Sequence, residues 1–139
     1  MQAVEINLVA FKRVPFGGAS GTEDFIEAGD LSAATFRMEI RTAPGDTGDA
    51  LVRLTNAAAG SRGISAAYDS AYPHPTSGAP IAATVIRPQI DEATLEALAA
   101  ASPASDDLVL HYDLHITPSG GLKYVCAYGT FTIKPGVTI

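Results

Sequence analysis

Three residues at alternating positions near the C-terminus, His111, Asp113 and His115, have the side chains best suited to chemistry. On an extended strand all three project from one face, each ~6.6–7 Å from the next. Two imidazoles placed this way could ligate zinc, with the carboxylate as a third ligand or as the group that orients one ring. The same positions also form the polar face of an amphipathic strand, where solvated side chains belong. The sequence is therefore read as a strand face with no metal and no cofactor, and His111, Asp113 and His115 as its metal candidates.

Nucleophiles offer less. Cys126 is the single cysteine and stands among apolar neighbours, where a buried thiol is inert. A pairing of Cys126 with His111 or His115 across a hairpin is geometrically conceivable, but nothing in the sequence suggests an oxyanion site beside it. The serines lie outside any G-x-S-x-G elbow. Glu23-Asp24, Asp91-Glu92 and Asp106-Asp107 each fit a local role in a loop, a helix cap or a turn. The chain has no tryptophan to stack a sugar against a carboxylate pair, and Gly45-Asp46-Thr47-Gly48-Asp49 lacks the spacing and final glutamate of an EF-hand. No catalytic residue is assigned, and the chain is expected not to be an enzyme.

The elements that position these residues are read from hydrophobic period. Leu108, Leu110, Tyr112, Leu114 and Ile116 alternate with Val109, His111, Asp113, His115 and Thr117, the pattern of a half-buried strand. Ser119-Gly120-Gly121 turns the chain, and a return strand from Leu122 to Ile133 changes apolar phase, which predicts a bulge near Gly129. Residues 34–42 form the clearest other strand, with Phe36, Met38 and Ile40 opposed by Arg37, Glu39 and Arg41. Val4–Phe11, Leu51–Leu54, Gly63–Ser65 and Ile81–Arg87 are further strands. Residues 15–22, rich in glycine, and 68–80, with three prolines, are expected loops. Asp91 predicts a helix N-terminus, with Ile90 stapled to Leu95. The sum is an all-β, antiparallel sandwich of about seven or eight strands with one short helix, forming a single domain over residues 1–139.

Composition sets the outer bounds. With 47% apolar and 17% charged residues the chain can bury a core, and 13 glycines and 9 prolines punctuate it as strands and turns. Nine basic against fifteen acidic side chains give a net charge of −6 with no basic stripe, which argues against nucleic acid as a partner. No apolar run approaches the ~20 residues of a membrane span, and no secretory leader is readable. Synthesis inside the cell is the expectation.

Three blocks carry a resemblance: Asp30-Leu-Ser-Ala-Ala-Thr-Phe-Arg-Met-Glu-Ile-Arg41, His111-Tyr-Asp-Leu-His-Ile116 and Gly129-Thr-Phe-Thr-Ile-Lys-Pro135. Over most of residues 27–137 the chain resembles small proteins encoded in the structural modules of tailed phages and prophages. Those in turn resemble the immunoglobulin-like N-terminal domains of baseplate proteins that hold receptor-binding proteins. The resemblance implies an immunoglobulin-like fold and a virion component made in the bacterial cytoplasm. It also implies a place at the tail tip, baseplate or tail-fibre attachment, with other phage structural proteins as partners and a homo-oligomer in the particle. It brings no catalytic residues. Ala33 stands where glycine is common, and 67–80 reads as an insertion.

Contacts are then expected from irregular segments: Phe16 with its glycine loop, and Tyr68, Tyr72, Pro73 and His74. Val4–Phe11 is the candidate edge strand for pairing with a neighbour. Two alternatives stand beside the tail role. One is a capsid decoration or head-fibre protein. The other is a carbohydrate- or ligand-binding module, which would show a concave pocket lined by Tyr112, Tyr124 or Tyr128.

Overall fold

The structure, a computed structural model, describes residues 3–12, 14–17, 24–100 and 106–135. The expected glycine loop beyond Gly17 and the Ser-Pro-Ala-Ser run expected to end the helix lie outside them. The order is β1 (Val4–Glu5), β2 (Leu8–Phe11), β3 (Phe25–Ala28), β4 (Thr35–Arg41), β5 (Val52–Thr55), β6 (Gly63–Pro73), β7 (Pro80–Gln89), α1 (Glu92–Ala99), β8 (Leu108–Thr117) and β9 (Tyr124–Lys134).

Strand alternation builds the core. Phe36, Met38 and Ile40 of β4, Val52 and Leu54 of β5, and Leu110, Tyr112, Leu114 and Ile116 of β8 all turn inward and are buried. Their partners across the gap include Phe25 of β3 and Ile86 of β7, in one continuous cluster. The larger sheet runs β1-β9-β8-β4-β5, with β2 also on β9; the smaller runs β3-β7-β6. A β9-β8-β4-β5 sheet facing a β3-β7-β6 sheet is the immunoglobulin arrangement, with β5 as the extra strand beyond a minimal front sheet. The protein is thus an immunoglobulin-like, all-β sandwich. Its strand pairing is antiparallel except at the start, where β1 and β2 run parallel to β9, and at an isolated parallel bridge between Asn56 and Ile64.

The helix forms as its cap residues dictate. The Asp91 carboxylate accepts from the Thr94 amide at 3.0 Å and from its hydroxyl at 2.6 Å. Ile90 and Leu95 are both buried, as a staple requires, and Ala99 joins them in the core. Buried polar side chains then pin the connections. Thr84 donates to Gly29 O and accepts from Leu31 N, both at 2.8 Å, and Gln89 bonds Gly60, Ala58 and Ser61.

Several expectations are corrected. Residues 68–80 are not a loop: β6 and β7 form a long hairpin, paired from Gly63–Gln89 out to Pro73–Pro80. The strand expected at Ile81–Arg87 runs on through Pro88 to Gln89. The Pro88 carbonyl faces Gly17, so the proline nitrogen points away from β6 and no ladder bond is lost. The bulge of β9 falls at Cys126, between the pairs Leu114–Ala127 and His115–Val125, and not near Gly129. Tyr124 and Cys126 face the core before it, Ala127, Phe131 and Ile133 after it, and Tyr128 faces out. The strand starts at Tyr124; Leu122 belongs to the turn and is 90% exposed. β3 went unread in the sequence. Phe16, expected at a contact surface, is a core residue: it is 3% exposed, and its ring meets Phe131 edge-on at 5.1 Å between centroids.

Candidate functional site

The outward side chains of the larger sheet line a concavity of about 1040 Å³. Strand register sets the outward residues of this sheet in rows, in which Arg53 lies just outside the lining. Arg53, Glu39, Asp113, Tyr128 and Glu5 lie opposite one another across β5, β4, β8, β9 and β1. Arg37, His115 and Val125 form the row on one side, and Arg41, His111 and Thr130 the row on the other. The β4–β5 turn, with Pro44, Gly45 and Asp46, forms part of the wall. That turn is tied down locally: Asp46 accepts from the Gly48 amide at 3.0 Å and from the Thr42 hydroxyl at 3.2 Å, and Arg41 donates to Gly48 O.

Glu39 is the centre of the charge network. One carboxylate oxygen accepts from Nε and Nη2 of Arg37, at 2.9 and 2.7 Å, and from Nε of Arg53 at 2.9 Å. The other accepts from Nη2 of Arg41 at 2.7 Å. Asp113 stands directly opposite Glu39, and two like charges so placed are unfavourable. Three guanidiniums around one carboxylate offset that repulsion. Burial opposes ionisation of Glu39, but the hydrogen bonds from Arg41, Arg37 and Arg53 outweigh it and hold the group at about 2, below its ordinary 4.5. A depressed carboxylate stabilises the fold fully above its unfolded value and ceases to do so as pH falls through the folded one. Thermal midpoints of the wild type and Glu39→Gln should therefore differ most above pH 4.5 and converge as pH drops toward 2.

The structure gathers His111, Asp113 and His115 on this face as the alternation predicts. It does not make them a ligand set. His115 Nε2 lies 3.1 Å from Asp113 Oδ2, and among the described residues no group of three or more His, Cys, Asp or Glu side chains is arranged to hold a metal ion.

Of the three tyrosines, Tyr112 and Tyr128 line the concavity, Tyr112 at 5% exposure and Tyr128 at 43%. Tyr112 faces inward, and its hydroxyl donates to Ile6 O at 2.7 Å, fastening the N-terminal strand from beneath. This is possible because Gly129, opposite Tyr112, has no side chain: a Cβ there would sit 2.4 Å from the same Ile6 oxygen. Asn7 completes the junction by accepting from the Thr130 amide at 3.1 Å. Tyr124 is turned between the sheets and donates to Glu27 at 2.9 Å.

Cys126 lies beside that Glu27–Tyr124 pair. Burial, with the negative charge of Glu27 nearby, pushes its thiol up to about 12. Ellman's reagent should accordingly react with the native protein far more slowly than with the urea-unfolded chain. Equal rates in the two states would contradict the burial.

The remaining expected contact residues gather elsewhere, on the β6–β7 hairpin. β3 covers β7 only from Ala83 to Ile86, with one more bond from Gly29 N to Ala82 O at 2.9 Å. Beyond that point the hairpin continues as two strands alone. That extension is residues 70–73 against 80–82; on the edge strand β6 leading to it, Ala66 to Ala71 are all exposed, Tyr68 by 41%. His74 shapes the tip, its Nδ1 accepting from the Thr76 and Ser77 amides at 3.1 and 3.3 Å. Tyr72, Pro73 and His74 thus share one projecting arm; Tyr68 lies before it on the edge strand β6, opposite Thr84, and Phe16 joins neither. The signal for the arm was present as a run without apolar alternation, but the prolines hid its strand pairing.

Among the described residues no helix is long and apolar enough to cross a membrane. No protein-family model matches the sequence, and no curated protein does. Among solved structures the chain is similar to the periplasmic chaperone SfaE, at 12% identity and a TM-score of 0.37, over 99% of this chain. The chain spans 57% of the length of that chaperone.

Proposed function

We propose that this protein is a non-enzymatic structural component of a bacteriophage particle, joining other virion proteins at the tail tip, baseplate or tail-fibre attachment, as a homo-oligomer. The observation that carries the assembly role is the β6–β7 arm. A two-stranded ribbon is marginal alone in water, yet this one stands beyond the sandwich with both faces open and a hydrogen-bonded tip. A packed neighbour would cover it. Tyr72 on the arm, and Tyr68 on the edge strand leading to it, offer apolar area and a hydroxyl at little entropic cost. The non-enzymatic reading is supported by the state of the reactive groups. The one thiol is half-buried and pushed up to about 12, and the central carboxylate of the concavity is held by three arginines. The tail placement rests on the resemblance of the three sequence blocks.

Gold-labelled antibody against the chain, applied to particles from a phage carrying its gene, should mark one end of the tail. Label over the head would move the protein to capsid decoration, and particles free of the chain would end the virion reading. Replacing residues 70–82 by a short glycine-containing turn should leave the thermal midpoint nearly unchanged while abolishing incorporation. Normal incorporation of that variant would remove the arm from the argument.

A further inference from the structure

We propose that the concave face of the larger sheet is a binding site for a neutral oligosaccharide, laid along the row from Arg53 to Glu5 with one ring stacked on Tyr128. This site is separate from the arm and does not depend on it. Tyr128 supplies an exposed aromatic ring in mid-sheet, where a solvent-facing strand position would ordinarily be polar. Planar hydrogen-bonding groups of both kinds flank it. Asp113 engages His115 through one carboxylate oxygen only, which leaves the other to accept from hydroxyls. Arg37 and Arg53 commit some of their five N–H groups to Glu39 and keep others to donate, and both side chains are about half exposed. The salt-bridge network fixes these guanidiniums in place, so little rotamer freedom is lost on binding.

Charge and shape select the class. Arg37, Arg41 and Lys123 line the concavity together with Glu5, Glu39, Asp46 and Asp113. Interleaved signs suit a ligand of many hydroxyls and no net charge, whereas a phosphate chain would meet Glu39, Asp113 and Glu5 in the central row, between the rows that hold Arg37 and Arg41. The strands beneath are hydrogen-bonded to one another, so this face offers side chains and no ladder for an extended peptide. Five strands at ~4.8 Å spacing make the row ~19 Å long, enough for a short oligomer and more than one ring needs.

Titration of the 15N-labelled protein with maltohexaose, cellohexaose and chitohexaose tests this directly. At least one should shift the amides of Tyr128, Asp113 and Arg37 in a saturable way. Tyr128→Ala and Asp113→Asn should each weaken that binding by about tenfold, with Tyr68→Ala on β6 of the other sheet as an unaffected control. The dispersion of each variant's spectrum shows that it is folded. No saturable shift with any of the three sugars overturns the proposal. So do shifts confined to the arm, or a response to inorganic sulfate alone, which would mark the arginines as a simple anion site. Particle labelling is unaffected by any of these results, so the virion role and the sugar site stand or fall separately.

Discussion

Phe16→Ala is expected to destabilise the protein by ~3–5 kcal/mol, the range for emptying a buried phenylalanine site. The ring is 3% exposed and meets Phe131, itself fully buried, edge-on. The backbone leaves the site little freedom to collapse. Phe16 N donates to Ile90 O at 2.9 Å and Phe16 O accepts from Ile90 N at 3.0 Å, which ties the segment to the end of β7. Gly17 follows at φ 77, so close to Pro88 O that no side chain could stand there. The cavity would therefore persist. Urea unfolding gives the measurement, and a loss below about 1 kcal/mol would return Phe16 to the surface role its glycine-rich context suggests.

Gly129→Val is expected to cost about 3 kcal/mol or more, through overpacking against backbone that cannot yield. Even the first added carbon would lie 2.4 Å from Ile6 O and 2.9 Å from Asn7 Oδ1, at a φ of 155. Relief requires β1 to leave β9, and with it the Tyr112 hydroxyl loses its acceptor and the Thr130 amide its Asn7 partner. Amide exchange should show this as lost protection at Ile6 and Lys12, which donate to Tyr128 O and Lys134 O. A second background sharpens the test. In a chain lacking residues 1–7 the obstacle is gone, so the same substitution should cost much less there. An equal cost in both backgrounds would place the strain within β9 itself.

How much of this was legible depended on whether a strand has one wet face and one dry face. β4 and β8 do, and both were readable to within a residue, because Phe36, Met38 and Ile40 or Leu110 to Ile116 alternate with charges. The Asp91 cap was equally plain, since its chemistry is local. The distal half of β6 has two wet faces and hence no alternation, and Pro73, Pro75 and Pro80 at its end look like loop residues. β3 is four residues long and only Phe25 is fully buried, too little for a period to show. In β9 the aromatic residues misled. Tyr124 and Cys126 face inward, and Tyr128 continues their spacing but lies past the bulge and faces out. The polar face of the site was visible as His111-x-Asp113-x-His115, but its centre was not. Glu39 read as one charge among several on β4, because Arg53, the third arginine around it, comes from β5 and reaches it only through strand pairing.

The pairing of β1 and β2 with β9 sets a timetable for folding. Val4 lies beside Ala127 and Phe11 beside Lys134, contacts that join almost the two ends of the described chain. Domains dominated by such distant pairings fold in milliseconds to seconds, because each must close a long loop before any contact rewards it. On the ribosome the segment from Val4 to Phe11 emerges before its partner β9, with the rest of the sandwich made between them. Until β9 is made it must wait unpaired, with Leu8 and Ala10, later buried, still open to water. A strand made early thus docks late, and its docking on β9 closes that edge of the larger sheet.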